Sequence, residues 1–132
     1  MRLVSFHNHR EEFETVFSGR TVEQILIDEA PNLNFEVDTG WSAVAGVDNK
    51  EFLTRLGYRL DLVHIKDVDN EDIPVEIGEG RLNIKAVFDT ANKLAVRWCI
   101  VEQDCMRDYP TFESIKRSYD NIQEKYIRFL EK

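Results

Sequence analysis

Cysteine is scarce in this chain: two residues in 132, Cys99 and Cys105. Two thiols are too few for a disulfide framework, and Cys99 lies inside an apolar run, so a reduced, cytoplasmic setting is expected. Basic residues are also in deficit. Lys and Arg number 17 against 25 Asp and Glu, a formal net charge of −8. Nucleic-acid backbones require a basic face, so nucleic acid is not an expected partner. No apolar run approaches the length of a membrane span, and the N-terminus lacks the apolar core of a signal peptide, so no membrane association is expected. Low-complexity stretches, Ser/Gly linkers and charge blocks are missing as well, which leaves no marker of a domain boundary. What is present is an ordinary globular composition, 42% hydrophobic and 32% charged, over a length that suits one domain, residues 1–132.

Strand-like and helix-like segments alternate along the chain. Residues 2–6 (RLVSF) read as a strand. TVEQILIDEA then reads as a helix, with Thr21 and Gln24 spaced as a capping box. LNFEVD (33–38) is a second strand, and DNKEFLTRLG repeats the capping pattern with Asp48 and Glu51 before Gly57, a suitable helix terminator. LDLVHI (60–65) is a third strand. NIKAVFDTANKLA places Val87, Phe88, Ala91, Leu94 and Ala95 on one helical face. VRWCIVE (96–102) is a fourth strand, and a long closing helix carries Phe112, Ile115, Tyr119, Ile122, Tyr126, Phe129 and Leu130 at helical spacing, an expected core stripe. Four strand-helix repeats predict an α/β fold with a parallel sheet and helical crossovers.

Each strand ends in a polar residue able to bind a ligand: His7, Asp38, His64 and Glu102. Side chains alternate faces along a strand, so His64 is expected to share a face with Leu60, Leu62 and Lys66, Asp38 with Glu36, Glu102 with Trp98 and Ile100, and His7 with Leu3, Ser5 and His9. In parallel α/β folds the site lies at the C-terminal ends of the strands, and all three histidines of the chain fall there. For any one of these residues a loop-capping role suffices; the four together point to a divalent-metal site. Imidazole and carboxylate donors suit Mn, Co, Zn or Fe and make Mg or Ca less natural. The loop from Asp67 to Asp72 resembles the start of a calcium loop but lacks its glycine and its closing glutamate, and reads as a solvated acidic loop. Gly78-Glu79-Gly80 reads as a turn. Lys66 and Arg107 are candidates to meet a substrate hydroxyl or phosphate.

FHNHREEF, NFEVDTGWSAVAGVD, RLDLVHIKD, IGEGRLN and IVEQD, in this order and at these separations, resemble the sugar phosphate isomerase/epimerase family. That family belongs to the xylose isomerase-like TIM barrels, which also include endonuclease IV type enzymes. The resemblance implies a divalent metal (Mn, Co, Zn or Mg) held by the ends of the last four barrel strands, here His7, Asp38, His64 and Glu102. It implies proton transfer beside a metal-bound carbonyl of a small sugar or polyol. Many relatives carry a glutamate where this chain has His7, so a two-carboxylate epimerase mechanism does not transfer directly. A whole barrel takes about 200–250 residues or more. The chain therefore reads as half of a TIM (β/α)8 barrel, from the fifth strand to the eighth helix, with four parallel strands each followed by a helix.

From this follow the expected roles. Glu102 moves the proton, and His7 or His9 is the second acid/base, since imidazole titrates near neutrality. Lys66, Trp41 and Arg107 are the expected substrate contacts. A non-catalytic remnant that binds metal and dimerises is the rival reading, and an inosose dehydratase-like lyase is a further alternative. A nuclease fits poorly with the acidic charge. Half a barrel leaves two open sheet edges and an apolar inner face, with Leu3, Leu60, Leu62, Trp98 and Ile100, so a homodimer is expected.

Overall fold

The computed structural model describes residues 4–127. Leu3, Phe129 and Leu130, assigned above to the inner face and the last helix, lie outside the described residues. In chain order the elements are β1 (Ser5–His7), α1 (Glu11–Glu14), β2 (Val16–Phe17), β3 (Arg20–Thr21), α2 (Val22–Glu29), β4 (Asn34–Asp38) and α3 (Thr39–Val44). Then come α4 (Asn49–Leu56), a 3-10 turn (Gly57–Arg59), β5 (Leu60–Ile65), β6 (Asp67–Val68), β7 (Pro74–Val75), α5 (Ile84–Lys93), β8 (Trp98–Val101) and α6 (Thr111–Lys125). Strands β1, β4, β5 and β8 form one parallel sheet in that order, with helices between them. This is the half-barrel architecture read from the sequence. The two antiparallel ribbons β2–β3 and β6–β7 are too short for periodicity to mark.

Local chemistry starts and stops the helices as expected. The Thr21 side chain accepts from the Gln24 N–H while Gln24 reaches back to the Thr21 N–H, so both halves of the capping box form. Asp48 caps α4 through the Glu51 N–H, and Gly57 ends it at φ +55°, a conformation that costs glycine little. Arg59 then ties the far end of α2 to the start of β4, donating to the carbonyls of Ile27, Ala30 and Leu33 at 2.7–3.0 Å.

One face of the sheet makes the core. Phe35, Val37, Val63 and Ile65 pack with Phe52, Leu53 and Leu56 of α4 and with Ile84, Val87, Phe88 and Ala91 of α5. Leu60 joins this core, contrary to its expected place beside His64. The β4–β5 register slips between Phe35, which pairs with Leu60, and Glu36, which pairs with Leu62. The intervening Asp61 is an extra residue, and a one-residue slip moves a side chain to the opposite face. Asp61 instead accepts a hydrogen bond from Ser5 at 2.6 Å. The other face is open at β8, where Trp98 is 58% and Ile100 42% exposed.

The closing helix corrects a second expectation. Its buried stripe is Ser114, Ser118 and Ile122, at strict i, i+4 spacing, with Ser118 accepting from the Ile77 N–H. Tyr126 follows, stacked on Phe88. Phe112, Ile115 and Tyr119 stand outside the core, with Phe112 89% exposed. Two small serines carry the docked face early in the helix, so apolar periodicity misplaced Phe112, Ile115 and Tyr119 while Ile122 and Tyr126 pack as expected. Ala95 also leaves the core face; it is exposed at φ +54°, just beyond α5.

Asp67 and Glu23 are among the carboxylates buried away from the four-stranded sheet. Asp67, expected in a solvated loop, is almost wholly buried and accepts four backbone N–H groups, from Val68, Gly78, Gly80 and Leu82, at 3.0–3.1 Å. Burial raises its pKa above the ordinary aspartate range, and the four donors counter part of that rise. The Gly78-Glu79-Gly80 backbone thus wraps an internal carboxylate, and a Cβ on Gly80 would collide with that carboxylate and the Val68 carbonyl. Glu23, on α2, is buried with neither carboxylate oxygen hydrogen-bonded. Burial, reinforced by the charge of Glu12, pushes its pKa up to about 7.

Replacing Asp67 by Asn puts an amide donor among four N–H donors. Asp67→Asn is expected to lower unfolding free energy in urea titrations by about 2–3 kcal/mol, with Gly80→Ala at least as damaging. For Glu23 the folded pKa lies above the unfolded one, so stability present below pH 4.5 is lost as pH rises to about 7. The loss is on the order of 3 kcal/mol. Glu23→Gln should flatten this slope, and identical slopes for wild type and variant between pH 4.5 and 7 would refute the assignment.

Candidate functional site

The register of the sheet decides which side chains meet. His7 closes β1 and pairs with Glu36, and Asp38 closes β4 opposite His64. Glu102 follows β8 directly, its N–H bonded to the Ile65 carbonyl at 3.1 Å. All four expected strand-end residues therefore lie at the C-terminal rim of the sheet. The His-Asn-His tripeptide divides its labour. Asn8 is buried and clamps Asp38 by both backbone groups: its Oδ1 accepts from the Asp38 N–H at 3.0 Å and its Nδ2 donates to the Asp38 carbonyl at 3.2 Å. One side chain so extends the β1–β4 ladder past its last strand residue. His9 is exposed, its ring 5.1 Å from that of His7.

The two inner imidazoles lie between two carboxylates. Glu36 Oε1 is 2.8 Å from His64 Nε2 and 3.3 Å from His7 Nδ1. Glu102 Oε2 is hydrogen-bonded to His64 Nδ1 and lies 3.9 Å from His7 Nε2. The ring centroids of His7 and His64 are 4.7 Å apart. Sequence reasoning had Glu36 on the face of Asp38 but gave it no role, because it lies within a strand rather than at its end.

Asp38 is already occupied twice. Its Oδ1 caps α3 by accepting from Gly40 and Trp41, and its Oδ2 is 2.8 Å from Lys66 Nζ. Lys66 has no exposed surface; its ammonium also meets Asp104 Oδ2 at 2.5 Å and Glu102 Oε1 at 3.5 Å, and lies 4.6 Å from the Trp41 ring centroid. Gly40 is required by this stem, since a Cβ there would come within 2.6–2.8 Å of three Lys66 carbons. Asp104, two residues past Glu102, carried no signal in the sequence. Arg107 is held elsewhere, by Asp69 at 3.0 Å and Asp108 at 3.2 Å, and the structure does not bring it to the cluster.

Electrostatics follow from this packing. Burial by itself would raise Glu102, but the hydrogen bond from His64 and the Lys66 charge pull its pKa down to about 2, so it is a carboxylate at neutral pH. Burial works against the Lys66 ammonium, yet Asp104, Asp38 and Glu102 raise its pKa above the ordinary lysine value. Two sets of three donors lie within 4.8 Å of one another: His7, Glu36 and His64, and His7, Asp38 and Glu102. His7 Nδ1 is buried without a hydrogen bond. Mixed imidazole and carboxylate donors at this spacing, with an unsatisfied ring nitrogen among them, fit a borderline divalent cation.

Comparisons with known proteins agree with the fold. A sugar phosphate isomerase/epimerase from Parabacteroides distasonis ATCC 8503 superposes with a TM-score of 0.80 at 24% identity, over 93% of this chain and 45% of that one. A D-tagatose 3-epimerase-like protein gives 0.59 at 24% identity, over 93% and 49%. An L-ribulose 3-epimerase gives 0.51 at 14% identity, over 74% and 33%. The chain thus spans less than half the length of these solved relatives. No curated protein matches it. Residues 5–128 match the family described as the xylose isomerase-like TIM barrel, and the chain belongs to that family.

Proposed function

We propose that this half-barrel carries the reactive rim of a divalent-metal-dependent sugar isomerase/epimerase, acting on a small sugar or polyol rather than nucleic acid. The observation that supports it most is the convergence of His7, His64, Glu36 and Glu102 at the strand ends, with each imidazole nitrogen of His7 and His64 no more than 3.9 Å from a carboxylate oxygen. His7, Asp38, His64 and Glu102 would hold the metal, whose chemistry when bound is to polarise a substrate carbonyl and its neighbouring hydroxyl. Glu102, ionised at neutral pH, takes the proton from the carbon beside that carbonyl. His7 or His9 is the second acid/base. Trp41 offers an apolar wall, whereas Arg107, paired with Asp69 and Asp108, would have to give up those contacts to meet a phosphate. Lys66 serves the substrate indirectly, because its ammonium is committed to Asp38, Glu102 and Asp104. Free thiols at Cys99 and Cys105 suit a reducing cytoplasm. Among the described residues no helix is long and apolar enough to cross a membrane.

The test is proton exchange. Ketoses, ketose phosphates and inososes are incubated with the protein and Mn in deuterated water, and deuterium beside the carbonyl is followed by NMR. Exchange is expected in wild type and at least 100-fold slower in Glu102→Gln. His64→Ala should bind Mn at least tenfold more weakly by calorimetry. Full exchange in Glu102→Gln would remove it as the base. Metal binding without exchange on any substrate favours the non-catalytic reading, and loss of water from an inosose favours the lyase.

The open edges belong to the same proposal. A second copy of the chain, related by a twofold axis along the barrel, would pair β8 with the partner's β1 and cover Trp98 and Ile100. Light scattering should give twice the chain mass, and Trp98→Asp should return it to the monomer mass. A soluble wild-type monomer at micromolar concentration would refute this assembly.

A further inference from the structure

We infer that Glu36 is a positioning residue of this centre: its carboxylate receives the outward N–H of both His7 and His64, and so fixes which nitrogen each ring presents to a metal. The inference rests on the metal-dependent reading above and adds to it a residue outside the four strand-end ligands. Each imidazole has one nitrogen toward Glu36 and the other toward Glu102. For His7 these are Nδ1, 3.3 Å from Glu36 Oε1, and Nε2, 3.9 Å from Glu102 Oε2. For His64 they are Nε2, 2.8 Å from the same Glu36 oxygen, and Nδ1, hydrogen-bonded to Glu102. The two rings are flanked by one carboxylate on each side.

A neutral imidazole carries one N–H and one lone pair, and only the lone pair can bind a metal. The metal therefore lies on one side of the ring pair and both ring protons point to the other. The Glu102 side brings a second carboxylate, Asp38, into one donor set with His7. It also follows the last strand residue, at the open rim. Glu36 lies two residues before the end of β4, one pleat deeper. With the metal at the rim, the protons on His7 Nδ1 and His64 Nε2 would both be left on the Glu36 side, 3.3 and 2.8 Å from its Oε1, where a small turn of each ring would align them for hydrogen bonds. One carboxylate oxygen has two lone pairs and can accept both. The buried, unbonded Nδ1 of His7 then gains its missing partner. Carboxylates behind metal-bound imidazoles characteristically set the tautomer and raise ligand basicity.

Zinc is the probe, because it is diamagnetic and the chain has only three histidines to assign. Long-range proton–nitrogen NMR of the zinc-loaded, nitrogen-labelled protein should show protons on His7 Nδ1 and His64 Nε2, with metal-shifted His7 Nε2 and His64 Nδ1. Glu36→Ala should weaken zinc binding tenfold to 100-fold by calorimetry. Glu36→Gln, which retains a neutral acceptor for one ring, should lose less. Thermal midpoints of both variants identify any loss that comes from unfolding, and the wild-type tautomers decide the matter even if Glu36→Ala does not fold. Zinc on His7 Nδ1 or His64 Nε2, or wild-type affinity in a folded Glu36→Ala, would overturn the role of Glu36 while leaving the metal reading standing. A wild-type protein that takes up no zinc would overturn both.

Discussion

A single buried ammonium organises the rim. Lys66 reaches from the end of β5 to Asp38 at the end of β4, and to Glu102 and Asp104 beyond β8. Without a cation at this point, carboxylates from separate loops would face one another in a water-poor site, where like charges repel strongly. Breaking such a pair by removing one partner costs about 3–5 kcal/mol, because the other charge stays buried. The alkyl stem of Lys66 passes where any side chain on residue 40 would collide, so the Asp-Thr-Gly-Trp sequence is partly the footprint of the lysine. Asp38 caps the helix, Gly40 leaves room, and Trp41 offers its ring to the ammonium.

Lysine and imidazoles divide this acidic neighbourhood between them. Lys66 neutralises the side toward Asp38 and Asp104, and the imidazoles stand between Glu102 and Glu36. Glu102 belongs to both, with one oxygen toward Lys66 and the other on His64. That double engagement holds its pKa near 2. A carboxylate so well satisfied is a weak base, so to act as the proposed base Glu102 would first have to give up the His64 contact. In the proposed metal-loaded centre His64 would turn its Nδ1 lone pair to the ion, and that contact to Glu102 would be released.

Much of the fold was legible because periodicity and capping chemistry act over short ranges. The Thr21–Gln24 box, the Asp48 cap and Gly57 lie at or beside the helix ends they mark. Strand ends were legible for the same reason, and with them His7, Asp38, His64 and Glu102. What escaped depends on register or on distant partners. The slip at Phe35 and Glu36 sends Leu60 to the core, and no local pattern announces a bulge. Asn8 between two histidines looks like a loop residue until Asp38, 30 positions on, is placed beside it. Asp67 looks like one acid among several until the Gly78-Glu79-Gly80 backbone folds over it. Glu36 was on the right face but in the interior of its strand, and its importance comes from the His7 pairing that only the sheet supplies.

Parallel sheets are normally buried on both faces; this one is covered on one, and at β8 on neither, since Cys99 and Val101 are exposed along with Trp98 and Ile100. The covered face is the α4–α5 core. Across the open face the register sets Leu62 and Trp98 level with His7 and Glu36, and Ile100 level with Asp38 and His64, so polar groups on β1 and β4 give way sideways to apolar ones at β8. Exposed apolar residues recur on the next element, where Phe112, Ile115 and Tyr119 of α6 stand away from the core. Strand β8 and helix α6 thus form the least finished part of the fold, and they are consecutive in the chain. Glu102 and Asp104 lie on the segment between them. Glu102 and Asp104 are therefore carried on a unit whose own packing is incomplete. Whatever covered β8 and α6 would also constrain the loop that holds Glu102, so closing the proposed barrel and fixing the proposed base would be one physical event.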